Sequence, residues 1–220
     1  KKEMKLSPSQ IECINQTLIK KGVKFDDLKT EVLDHIASQI EYEMKTTKKT
    51  FPDAYNQVFD NWSEEFKLTR DFFSIKSTYP KLVHSKLKKQ LQKEVIIAVV
   101  TSILLIISFQ LVDNIQEKLE FIRLMKDVML YTFCITAAVA LFIKLWNLKS
   151  KATSTYKHLF DSRFSLLIIF LSFIINPSIP HDLTNQNLFV ATTGCFYVFL
   201  LSIIFVGMKH IQFQRIFSIQ

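Results

Sequence analysis

The chain has 220 residues, a net charge of +8 and an apolar fraction of 49%, yet only three glycines. A phosphate-cradling loop needs clustered glycines so that backbone amides can approach the ligand, so Walker A and dinucleotide fingerprints are excluded. Cys13, Cys134 and Cys195 are too widely spaced for a CxxC or CxxH pair, which removes a disulfide framework or zinc site and leaves them as small apolar residues.

The composition is lopsided. Residues 1–93 are rich in Lys, Glu, Asp, Gln and Thr, whereas 95–220 hold most of the Ile, Leu, Phe and Val. A globular protein mixes these at the scale of a helix turn. Segregation at the scale of a domain indicates a soluble module fused to a membrane module. The cationic excess sits beside apolar segments, at 81–93 and 144–163, so it points to anionic lipid headgroups rather than nucleic acid. No apolar h-region follows the first lysines, so no cleavable secretion signal is expected and insertion relies on internal spans.

Three amphipathic helices are predicted in residues 1–80. Ser7-Pro8 is an N-cap followed by proline at the first helical position, and Ile11, Ile14, Leu18 and Ile19 recur on one face before Gly22 stops the helix. The second helix opens at Asp26-Asp27, where acids favour the amino end. Leu28, Val32, Ile36, Ile40 and Met44 then repeat every fourth residue, with Leu33 and Ala37 widening the stripe. The third starts at Thr50, with Pro52 inside and Asp53 placed as if for a capping box. Its apolar face is Ala54, Tyr55, Val58, Phe59, Trp62 and Phe66. Residues 68–80 read as a transition in which Phe72 and Phe73 could plug the core or touch the bilayer interface.

The string TEVLDHIASQIEYEM, followed by a short basic gap and FPDAYNQVFDNWSEEF, resembles a short helical prefix domain found in many bacterial membrane proteins. The resemblance runs over roughly residues 6–67. Its carriers are Glu31, Asp34, His35, Ile40, Glu41, Phe51, Ala54, Trp62 and Glu65. It is similar to a version in Bacteroidota membrane proteins of unknown function, to the prefix domains of permeases linked to PadR-type regulators, and to the HAAS signalling module. The resemblance implies a cytoplasmic adaptor or sensory domain ahead of membrane spans, and brings no catalytic residue with it. Glu31, Asp34, His35, Glu41, Trp62, Phe72 and Phe73 are the candidate partner-facing residues. Glu31 and His35 form an i,i+4 pair, but two ligands do not make a zinc site, so a surface hydrogen bond or ion pair is the simpler reading and no metal is expected.

A basic connector, residues 81–94, follows Pro80. Lys81, Lys86, Lys88, Lys89 and Lys93 make it a candidate for contact with anionic headgroups. With no proline from 81 to 176, the connector can continue as one helix into the first span.

Residues 95–220 are predicted to cross the membrane four times, at 95–112, 128–146, 164–179 and 188–208. Lys and Arg concentrate before the first span, between the second and third (Lys144, Lys149, Lys151, Lys157, Arg163) and after the fourth (Lys209, Arg215). The expectation is therefore a bacterial inner-membrane protein with both termini cytoplasmic. No ionisable residue falls at mid-span, which argues against a proton- or ion-coupled transporter. Thr132, Thr136 and Ala140, and the patch Thr192, Thr193, Gly194, Cys195, are small-residue faces for helix contact within the bundle or in a homo-oligomer.

The expected fold is thus all-α: a small cytoplasmic three-helix domain, then a four-helix transmembrane bundle. No nucleophile–base pair, ligand set or cofactor loop is legible, so the expected role is non-enzymatic, without cofactor. The leading expectation is a sensor or adaptor whose soluble domain binds a cytoplasmic or membrane protein partner. The alternatives are an accessory subunit of a secretion, motility or respiratory complex and, further off, an oligomeric channel or transporter.

Overall fold

The computed structural model describes residues 5–70, 78–148, 152–175 and 183–217, with only the backbone described at 70, 168–175, 183 and 184. The fold is all-α apart from one short hairpin. Seven α-helices occur among the described residues: α1 (Pro8–Lys20), α2 (Asp26–Thr47), α3 (Phe51–Asn61), α4 (Lys81–Gln110), α5 (Ile115–Asn147), α6 (Thr155–Ile175) and α7 (Leu183–Phe217). The chain divides into two units. Unit 1 holds residues up to Lys89 together with Thr153–Thr155, and unit 2 holds Gln90–Ala152 and Tyr156–Gln220.

Unit 1 is built by its caps and one apolar core. Ser7 and Gln10 close a reciprocal capping box: the Ser7 amide donates to Gln10 Oε1 (2.8 Å) and the Gln10 amide to Ser7 Oγ (3.3 Å). At the other end of α1, Gly22 takes φ +86, which only glycine adopts without strain. Its amide reaches the Ile19 carbonyl and that of Val23 reaches Leu18, so the last carbonyls of the helix are satisfied. At α3 the expected capping box does not form, because the Thr50 hydroxyl donates to Asp53 Oδ2 (2.6 Å) instead of accepting from a backbone amide.

The every-fourth spacing of α2 places Leu28, Val32, Ile36 and Ile40 in the core with Ile14, Leu18, Ala54, Val58 and Phe66. Ile11 and Ile19 stay exposed, since the α1 face that packs is narrower than its apolar stripe. Residues 68–80, expected to be irregular, contain an antiparallel hairpin of Leu68–Arg70 and Thr78–Pro80, with Thr69 opposite Tyr79. Phe72 and Phe73 lie outside the described residues. Leu82 and Val83 are buried in the same core, so unit 1 runs past the boundary at residue 80 expected from composition.

In unit 2, three described helices are long and apolar enough to cross a bilayer: α4, α5 and α7. That marks the chain as a membrane protein. The expected third span, 164–179, falls on α6 up to residue 175, and its remainder lies outside the described residues. Helices outlast the apolar runs that signalled them. The charged stretch 115–127, expected as a connection, is already the start of α5, because Asn114 caps it by accepting from the Gln116 amide (2.9 Å). α5 and α7 form the main packed pair. Met129, Phe133, Ala140 and Ile143 meet Phe196, Leu200, Ile203 and Val206, and Phe160 and Leu167 of α6 join them.

Candidate functional site: an acidic clasp and a buried polar layer

The paired acids at the start of α2 do more than complement its dipole. Asp26 Oδ2 accepts from the amide (2.8 Å) and hydroxyl (2.9 Å) of Thr153, while the Asp26 amide donates to the Thr153 carbonyl (2.8 Å). Asp27 accepts from the Thr155 amide (2.9 Å) and hydroxyl, which satisfies an orphan donor at the first turn of α6. Asp27 also lies 3.5 Å from the Lys86 ammonium, and Lys86 in turn donates to Glu31 (2.8 Å). One short acidic segment therefore holds a lysine of α4 together with Thr153 and Thr155 at the start of α6. Burial alone would raise the Asp26 carboxyl, but the Thr153 amide, the Lys29 ammonium (3.1 Å) and the Thr153 hydroxyl outweigh it and hold the group below its ordinary value.

The residues singled out from the sequence fall into three groups. Glu31 is brought to Lys86 rather than to His35; Asp34 and His35 are exposed. Glu41 has an internal role, accepting from the Leu6 amide (2.9 Å) and tying down the chain ahead of α1. Trp62 is half-buried, with its ring stacked on Phe66 and its indole N–H donating to Gln39 Oε1 (2.8 Å). Among the connector lysines, Lys81 pairs with Glu65 (3.0 Å) and Lys86 with Asp27 and Glu31, so both are engaged inside unit 1 instead of standing ready for headgroups. Lys88, Lys89 and Lys93 are exposed. No group of three or more His, Cys, Asp or Glu able to hold a metal occurs among the described residues.

In unit 2 the charges flanking the apolar runs turn inward. Arg163, counted from sequence as a loop cation, is buried; it donates to Glu94 Oε2 (2.7 Å) and to the Ser202 carbonyl (3.4 Å). Gln90 donates to the other Glu94 oxygen (2.7 Å). Lys144, counted among the same cations, pairs with Asp161 at 2.6 Å. Gln214 bonds both Asn147 (3.1 Å) and the fully buried His210 (2.6 Å). Sequence patterns miss this layer because most of its charged and amide members sit at or just beyond the ends of apolar runs. Only the pairing of opposite charges near different helix ends could have hinted at it.

Part of each small-residue face is packed, while Thr192 and Cys195 of the second are exposed. Thr136 and Ala140 are buried on the α5–α7 side, and Thr132 is half-buried with its hydroxyl on the Val128 carbonyl. A Cβ at Gly194 would stand 2.9 Å from Ser102 Cα, and the Ser102 hydroxyl donates to the Ala191 carbonyl (2.8 Å). Gly194 thus admits the α4 backbone against α7.

Comparison with known protein families, with curated proteins and with solved structures returned no match.

Proposed function

We propose that the chain is a non-enzymatic inner-membrane sensor or adaptor. Its helical unit lies in the cytoplasm and binds a protein partner, and the state of that contact is passed to a four-span anchor with both termini cytoplasmic. The remaining crossing is the one expected at 164–179, which α6 covers up to Ile175. Lys88, Lys89 and Lys93 would meet anionic headgroups, by about 1 kcal/mol each near the surface.

The observation that carries this reading is that unit 1 is discontinuous in sequence. The chain leaves it after Lys89, returns for Thr153–Thr155 and leaves again into α6. A partner that shifts the amino end of α2 would therefore act, through the hydrogen bonds and ion pair of the clasp, on the starts of two apolar helices. A domain that merely decorated an anchor would need only one connection.

Two measurements test it. In the full chain in nanodiscs, replacing Asp26 and Asp27 with Asn should speed amide exchange across 153–160 and alter protection in α5 and α7. Unchanged α5 and α7 protection would remove the coupling. A photo-cross-linker at exposed Asp34 should form one reproducible protein adduct in cells, and a blank lane would remove the partner.

A further inference from the structure

Unit 1 carries a groove of about 410 Å³ between α2 and the end of α3. Gln39, Tyr42 and Glu43 line it from one side at i, i+3 and i+4; Asn61, Trp62 and Glu65 line it from the other. None of its lining residues is basic. The indole is held in place by its bond to Gln39 and its stacking on Phe66. Tyr42 is 65% exposed although it is a large aromatic side chain.

The anomaly is Glu43. Its Oε2 is shielded from solvent and has no hydrogen-bond partner. A buried carboxylate oxygen without a donor is costly, and such groups are nearly always satisfied. Glu65 already accepts from Lys81, which leaves Glu43 as the unmatched charge of the groove.

We propose that this groove binds the cationic side chain of a protein partner, an arginine or lysine, with Glu43 as counter-charge and Tyr42 and Trp62 as flanking rings. This rests on the adaptor reading above and supplies the chemistry of its partner. A guanidinium or primary ammonium brings the opposite charge, and a donor once the shielded Glu43 carboxylate turns toward the groove; its flat or compact head stacks on aromatic faces. A quaternary ammonium such as a choline headgroup would satisfy the rings but has no N–H to give Glu43.

The test uses the full chain in phosphatidylcholine nanodiscs, with Trp146→Phe so that Trp62 is the only tryptophan. A tri-arginine peptide should shift Trp62 emission saturably, a tri-citrulline peptide should not, and tetramethylammonium should do so only at a concentration about tenfold or more higher. Glu43→Gln should raise the half-saturating peptide concentration about tenfold or more. Tyr42→Ala, at an exposed position that folding does not need, should raise it about threefold or more. Equal responses to arginine and citrulline, an equal response to tetramethylammonium, or variants that titrate like the parent would overturn the proposal. Failure here would leave the Asp34 cross-link and the exchange experiment unaffected, so the two readings fall separately.

Discussion

Unit 1 and unit 2 use the same residue types to opposite ends. In unit 1, Ile14, Ile36 and Ile40 are fully buried and the surface is polar. In unit 2, Ile96, Ile97, Ile103 and Ile107 of α4 are at least half exposed, and only 6% of the most apolar stretch of that helix is buried, against 44% in α7. Water expels side chains into the first core, whereas a hydrocarbon solvent is as apolar as isoleucine and gives no such drive. What fixes unit 2 must then be close backbone approach and buried polar pairs. Gly194 against Ser102 and Arg163 with Glu94 supply both kinds.

Substitutions can break or sharpen that contrast. The largest effect is expected from Arg163→Met, which strands Glu94 without its partner and should cost about 3–5 kcal/mol in detergent unfolding. Adding Glu94→Leu should recover most of the loss, since an apolar pair can replace a buried ion pair. Next, Ile36→Ala should destabilise unit 1 by about 2–5 kcal/mol, read from Trp62 fluorescence under denaturant. The identical change at exposed Ile103 should cost about 0.5 kcal/mol or less in the bilayer. Equal losses at the two sites would erase the contrast. Gly194→Ala forces α7 from α4 and should cost about 1–3 kcal/mol, with Ser102→Gly relieving part of it.

The smallest effect is a pH dependence at Asp26. Its folded carboxyl is held below the ordinary 3.8, so the fold favours the ionised form. That stabilisation is complete above the ordinary value and is lost as pH falls through the lower folded one. The parent chain should therefore outlast Asp26→Asn at neutral pH and converge with it in strong acid. A difference that persists there would detach the clasp from the Asp26 charge.

Local order was legible in the sequence because its causes are local. The every-fourth stripe of α2, the Ser7-Pro8 start and the Gly22 stop each depend on residues within a turn of one another. The apolar runs likewise marked α4, α5 and α7. What escaped is contact between distant residues. Nothing around Asp27 announces Thr155, and counting lysines treats every cation as unpaired, which Lys81, Lys86 and Arg163 are not. The hairpin at 68–80 was missed because three-residue strands ending in proline carry no readable alternation. The groove was half-visible: Trp62 stood out, but the orphaned oxygen of Glu43 exists only once α2 and α3 pack.

The Asp27 carboxylate has one more consequence, which is topological. It touches Lys86 and Thr155, so the chain leaves that carboxylate through α4, turns, and comes back to it through α5. A path that starts and finishes at one carboxylate must cross any sheet of lipid an even number of times. After a single crossing, Lys86 and Thr155 would be parted by about 30 Å of hydrocarbon. The closed clasp is therefore incompatible with a half-inserted α4–α5 hairpin: those two aspartates hold both ends of the pair on one face of any bilayer it enters.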